Sequence, residues 1–234
     1  MEKPPTLTEV LQQGKERLFP SLTNPNWLVL RERRKIFDSW LRQLQSRELD
    51  VLDVGGRIQP YRALLTNRLR RYIAVDLRLT PLVDVMARAE HLPLGDDQFD
   101  LVICTQMLEY VAQPSLVIDE IHRVLRPGGA LLLSVPSACP TDAAEECWRF
   151  LPQGLRCLLA GFTRVEVAAE GSSVAGFFRT VNACFDIFVR YPAARSVYRN
   201  SLAPLVNLGG ALAEKLSGLR NQQFAVNYSV LAEK

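Results

Sequence analysis

The heptapeptide VLDVGGR at residues 51–57 ends an apolar run on two glycines, and YIAVDLR at 72–78 ends a second apolar run on Asp76. An acid about twenty residues beyond a glycine turn stands where it would accept hydrogen bonds from the two hydroxyls of an adenosine ribose. The pair marks the core of a nucleoside-binding site. Val51, Leu52 and Val54 read as a buried strand, and only glycine lets the chain turn sharply beneath a ligand. Pro60 would open the helix that follows, where a missing N–H is no loss. Taken alone, a strand ending in Gly-Gly is also what a tight β-α turn that holds nothing looks like.

Three later segments supply the elements that must position these residues. EHLPLGDDQFDLVI at 90–103 reads as a short loop and a strand beginning at Phe99. In LEYVAQPSLVIDEIHRVLRPGGALLLSV at 108–135, Ser115 would cap a helix whose core face is Val117, Ile118, Ile121, Val124 and Leu125. Pro127, Gly128 and Gly129 would stop that helix before another strand. CWRFLPQGLRCLLAGF at 147–162 reads as a further helix leading to a strand over Val165 to Val167. Strand and helix alternate, so the sheet should be mostly parallel with helices on both faces.

In this order the segments resemble the S-adenosylmethionine-dependent methyltransferases of the Rossmann-like class I superfamily, in the branch that carries LPF, SFD, LEHV and RVLKPGG. The resemblance covers roughly residues 49–170, and the ordered set is far more specific than any one member. It implies an α/β fold with a seven-stranded sheet whose last strand is antiparallel. An N-terminal helical cap (1–48), a cofactor-binding core (49–170) and a C-terminal helical region with the last strand (171–234) would form one domain. The WRFLP segment at 148–152, followed by Gly154, Leu155, Arg156, Leu158 and Leu159, is similar to a segment common in that branch among proteins of surface-polysaccharide and natural-product pathways. The implied activity is methylation of a small molecule, on oxygen of a sugar, a polysaccharide or a lipid-linked precursor. S-adenosylmethionine is the implied cofactor, and no metal is needed.

Roles follow from the resemblance position by position. Asp53, Gly55 and Gly56 should form the turn under the methionine part of the cofactor. Asp76 should hold the ribose, Leu77 should pack on the adenine, and Ala89 and Glu90 should border its edge. Thr105 and Gln106 should lie near the sulfonium, beyond the carboxyl end of their strand. Two departures matter. The usual GxGxG is here Gly55, Gly56, Arg57, Ile58, Gln59, so Arg57 is a candidate to pair with the cofactor carboxylate through its forked donors. Arg88 replaces an aspartate that contacts the adenine amine, and an arginine cannot accept that hydrogen bond, so Glu90 is a candidate substitute. Tyr110 replaces the histidine of LEHV. Tyr110, Asp142 and Glu146 are the candidates for substrate contact or proton acceptance, with Trp148 and Arg149 shaping the pocket.

Composition fits one such domain of 234 residues with 48% hydrophobic content. A net charge of +3 is too small to argue for a nucleic-acid partner. Five cysteines without CxxC spacing point to free thiols in a reducing cytoplasm. The basic run Arg31, Arg33, Arg34, Lys35 reads as a solvated helix face. The apolar stretches 174–189 and 202–216 read as paired helices, forming a lid or a homodimer contact. The alternative is a peripheral membrane surface with Arg179, Arg190, Arg195 and Arg199 at headgroup level. A silent binding module and a nicotinamide-dependent oxidoreductase are the competing functions. Retention of both Asp53 and Asp76 argues against the first, and the missing GxGxxG against the second.

Overall fold

The computed structural model describes residues 4–44, 48–141, 143–189, 191–218 and 221–234. Seven strands form one sheet in the order β3, β2, β1, β4, β5, β7, β6: β1 (Leu49–Val54), β2 (Leu69–Asp76), β3 (Val85–Met86), β4 (Phe99–Thr105), β5 (Leu125–Pro136), β6 (Arg164–Ala169) and β7 (Asn227–Glu233). The first five pair in parallel, and β7 runs antiparallel to both β5 and β6. Because β2 and β4 flank β1 on opposite sides, the chain reverses its winding there, and a crevice opens beyond the carboxyl ends of these strands.

Helices cover both faces, as the alternation requires. One face packs α3 (Pro114–Val124) and α4 (Pro152–Leu158) against Leu52, Val102, Leu131 and Val230. The other packs α2 (Trp27–Gln43) through Phe37, Trp40 and Leu41 onto Val51, Leu101, Ile103 and Leu132. Three such fully buried side chains each contribute about 1.5–3 kcal/mol, so α2 belongs to the core of the sheet. α1 (Leu7–Leu18) starts with a reciprocal cap, in which the Glu9 amide donates to Thr6 Oγ1 and the Thr6 amide donates to Glu9.

Several local expectations are corrected. The segment after Pro60 is a 3-10 run, Pro60–Arg68, because only nine residues separate Gln59 from the start of β2. Pro114 opens α3 without a side-chain cap, so Ser115 does not cap it. The Pro-Gly-Gly stop lies inside β5 as an irregularity in its pairing with β4, with Gly128 at φ 74. The last strand begins at Asn227, and just before it the Phe224 amide donates to Ser173 Oγ. The basic run is not a solvated face: Arg33 is buried against Glu170, Arg31 and Lys35 pair with Glu32, and Arg34 lies over Phe19.

α5 (Ser173–Phe188) and α6 (Pro192–Ser217) pair with one another and with α2. Between them Asn182 donates to Asn207 at 3.0 Å, while Asn207 donates to the Leu22 and Asn24 carbonyls, tying the turn between α1 and α2 to the helical pair. Their outer faces expose Phe177, Phe188, Leu205, Leu212 and Leu216. Arg179 is buried at 7% exposure and so is not at an outer surface; Arg190 lies outside the described residues. Among the described residues no helix is long and apolar enough to cross a membrane, and no cluster suits a metal ion.

α1 lies against the loop after β1 at Gly14, where an added Cβ would stand 2.4 Å from the Ile58 carbonyl oxygen. Gly14→Ala should therefore lower the unfolding free energy by about 1–3 kcal/mol as the helix is pushed away. At Gly154 of α4 an added Cβ meets nothing within 4 Å, and Gly154→Ala should add about 0.5–1 kcal/mol. Urea unfolding of the two variants checks the contrast; equal effects would show that α1 does not dock there.

Candidate active site

The crevice is a cleft of about 570 Å³. β1 ends in the tight turn that glycine permits: Gly55 has φ +80, and a Cβ there would stand 2.9 Å from Met107. A Cβ on Gly56 would meet Asp53 at 2.8 Å. Both glycine amides donate to the Val75 carbonyl, at 2.8 and 3.2 Å. These amides are committed within the fold, so an anion at this loop needs side-chain donors. Gly55 and Arg57 line the cleft, whereas Gly56 supports the turn from behind.

Asp53 and Asp76 stand side by side because Asp53 is in register with Ala74, two residues before Asp76. The Asp53 carboxyl is buried and accepts from Tyr72 Oη at 2.6 Å. Burial, with a smaller push from Asp76, raises it to about 7 against the lowering effect of the tyrosine. Asp76 Oδ1 accepts from the Arg78 amide at 2.8 Å, and its second oxygen has no hydrogen bond among the described residues. Leu77, Ala89 and Glu90 continue the wall from Asp76. Glu90 Oε1 accepts from Arg88 at 2.7 Å, while its buried Oε2 has no partner among the described residues. A free acceptor therefore exists beside Arg88.

Thr105 ends β4, and Gln106 turns the chain at φ 51 with its amide on the Ser134 carbonyl. Its side-chain amide meets that of Asn227 from β7 at 3.1 Å. The 3-10 turn Leu108–Tyr110 follows and carries two cleft residues. Tyr110 is half-exposed and donates to Glu146 at 3.4 Å. Glu146 is held on its other oxygen by Arg149 at 2.6 Å. Arg149 and Trp148 are not among the lining residues. Arg149 also donates to the Cys139 and Pro140 carbonyls, and the Trp148 indole donates to the Val111 carbonyl at 2.9 Å. Arg149 thus reaches the cleft through Glu146. Asp142 lies outside the described residues.

Among the lining residues that the sequence reading did not place in the site are Arg17, Glu109, Arg179 and Asn227. Glu109 is 2% exposed, and its Oε2 has no hydrogen bond among the described residues. Burial raises its carboxyl to about 7, with Glu146 adding to the shift and Arg33 and Arg149 opposing it. Its only signal in the sequence is adjacency to Tyr110. Arg17 and Arg179 come from helices at opposite ends of the chain, and nothing in the spacing brings them together.

Raised carboxyls give a pH dependence of defined sign. The folded state binds the Asp53 proton more tightly than the unfolded chain does, so the stabilisation is present below pH 3.8 and is lost as pH rises to about 7. Asp53→Asn should remove that slope. The unfolding free energy of the wild type relative to the variant should fall across this window by at most about 1.4 kcal/mol per pH unit. Parallel urea-unfolding curves for the two proteins from pH 4 to 7 would contradict it.

Residues 52–133 match a family model described as a methyltransferase domain. The ubiquinone biosynthesis O-methyltransferase of Pseudomonas aeruginosa is 34% identical over 117 residues, covering 47% of this chain and 48% of that protein. The chain spans about half the length of the curated relatives it matches. Among solved structures, a SAM-dependent methyltransferase from Archaeoglobus fulgidus covers 95% of this chain and 99% of its own, with TM-score 0.57 at 13% identity. The cyclase SpnF covers 100% of this chain and 98% of its own, with TM-score 0.54 at 19% identity. At such identities these two speak for the fold alone. Residues 52–133 are thus similar to a methyltransferase domain, and the seven-stranded sheet with its antiparallel last strand has the Rossmann-like methyltransferase fold.

Proposed function

We propose that the protein methylates an oxygen atom of a small molecule, using S-adenosylmethionine held between Asp53, Asp76 and Gln106. The observation that carries this reading is the convergence of those side chains on one cleft, at the carboxyl ends of β1, β2 and β4, beside two buried carboxylate oxygens with no hydrogen-bond partner among the described residues. The residues fit the cofactor: Asp76 has a free oxygen for the ribose, Glu90 Oε2 an open site for the adenine amine, and Asp53 a carboxyl for the ammonium. When bound, S-adenosylmethionine supplies the methyl group on a sulfonium, open to in-line attack. Gln106 and Asn227 orient the acceptor.

A neutral hydroxyl must lose its proton as the methyl–oxygen bond forms. Glu109, with its carboxyl near neutrality and an oxygen that accepts no hydrogen bond among the described residues, accepts it, and Tyr110 with Glu146 frames the acceptor beside it. Relatives named as O-methyltransferases favour oxygen as the acceptor atom. The exposed apolar faces of α5 and α6 fit an acceptor with an apolar carrier, as a lipid-linked precursor has, or contact with a membrane surface or a second copy. The commitment of both glycine amides to Val75 favours a second reading, a binding module that performs no transfer.

Transfer of labelled methyl to a panel of phenols, sugars and lipid-linked sugars separates the two. We expect a methylated product from at least one class, and Glu109→Gln should lower kcat by about 10²–10⁴-fold with little change in the KM for S-adenosylmethionine. Unchanged turnover in Glu109→Gln would remove Glu109 from the mechanism. Cofactor binding without any product would favour the silent module.

A further inference from the structure

A second chamber of about 270 Å³ opens beside the main cleft, and the two share Arg17, Arg57, Ile58, Gln106, Arg179 and Asn227. Its chemistry is one-sided. Arg33 at its back is committed to Glu170, but Arg17 from α1, Arg57 from the loop after β1 and Arg179 from α5 make no ion pair among the described residues. The one acid among its described lining residues is Glu16, whose Oε1 accepts from Gln12 at 2.7 Å.

Arg179 is the telling member. It is 93% buried (7% exposed), its Nε donates to Asn26 Oδ1 at 3.0 Å, and its Nη1 is buried with no hydrogen-bond partner among the described residues. Leaving a buried charged donor unsatisfied is costly, and the fold has not relieved that cost. Arg17 is part-buried beside it, and burial, then repulsion from Arg33 and Arg57, lowers its guanidinium from the usual range. Guanidinium forks converging from separate elements match the geometry of a carboxylate or phosphate.

We propose that this chamber binds an oxyanion, a phosphate or carboxylate, carried by the methyl acceptor at a point remote from the reacting hydroxyl. The inference rests on the reading of the main cleft as the S-adenosylmethionine site, and it narrows the acceptor to an anionic molecule. The cofactor's own carboxylate has the same chemistry. The acceptor is favoured because the chamber lies on the α1 and α2 side, meets the cleft at Gln106 and Asn227, and includes none of Asp53, Asp76 and Glu90.

Calorimetric titration of inorganic phosphate distinguishes the two sources, using the wild type, Arg179→Gln and Arg17→Gln, each with and without saturating S-adenosylhomocysteine. We expect phosphate to bind the S-adenosylhomocysteine-loaded wild type, and each variant to weaken that binding by about tenfold or more. The affinity for S-adenosylhomocysteine itself should move by less than about twofold. Arg17 sits on a partly exposed helix face, so its variant stands if Arg179→Gln fails to fold. Mutual exclusion of phosphate and S-adenosylhomocysteine, or an equal loss of S-adenosylhomocysteine affinity in the variants, would assign the chamber to the cofactor and overturn the proposal. Absence of any phosphate binding would overturn it as well. Arginine-dependent phosphate binding by a protein that does not bind S-adenosylhomocysteine would uphold the anion chamber and sink the cofactor reading instead.

Discussion

Arg33→Met should lower the unfolding free energy by about 3–5 kcal/mol, the largest loss expected from any single side chain here. Arg33 leaves α2 to meet Glu170 just after β6, with Nε 2.9 Å from both carboxylate oxygens and Nη2 2.8 Å from one. Ser134 and Ser229 donate to the same carboxylate at 2.6 and 2.8 Å. Both charged side chains are at most 2% exposed. Methionine keeps most of the packing volume and leaves a buried carboxylate with two hydroxyl donors and no counter-charge. The double variant Arg33→Met/Glu170→Gln should recover much of the loss, because the orphaned charge is what destabilises. Urea unfolding at neutral pH measures both. A loss below about 1 kcal/mol in the single variant, the range of a solvated pair, would mean that water reaches the site.

Asp76→Ala should weaken S-adenosylhomocysteine binding by about 100-fold or more. Two hydroxyl donors on one carboxylate are worth about 1.5–3 kcal/mol each, and the free oxygen of Asp76 is the acceptor beyond β2 that the ribose would use. Asp76 is only half-buried at the cleft mouth, and its hydrogen bond to the Arg78 amide is local. The variant should therefore unfold within about 0.5 kcal/mol of the wild type. A tenfold or smaller effect on affinity in a stable variant would move the ribose elsewhere.

Most of the framework was legible in local pattern. The run VLDV followed by two glycines is a buried strand and its turn. The apolar spacing of Val117, Ile118, Ile121 and Val124 gives the buried face of α3, whereas Leu125, read as part of that face, opens β5. What escaped is long-range. Arg33 sits in a run of four cations that reads as solvated, and its partner is 137 residues away. Glu109 differs from a surface glutamate only through the cover the folded chain places over it. Arg17 faces the cleft because Gly14, three residues earlier, lets α1 settle on Ile58. Trp148 looks like a pocket residue by type, yet its indole N–H is taken by the Val111 carbonyl. Local sequence carries period and turn chemistry, whereas burial of a charge is decided by elements that meet only in the fold.

The most direct test of the account is calorimetric titration of S-adenosylmethionine and S-adenosylhomocysteine into the wild-type protein, with nicotinamide dinucleotides as controls. The account predicts micromolar binding of both sulfur nucleosides, on the order of −8 kcal/mol, and none of the dinucleotides. A folded protein that takes up neither sulfur nucleoside, or that prefers a dinucleotide, would contradict it.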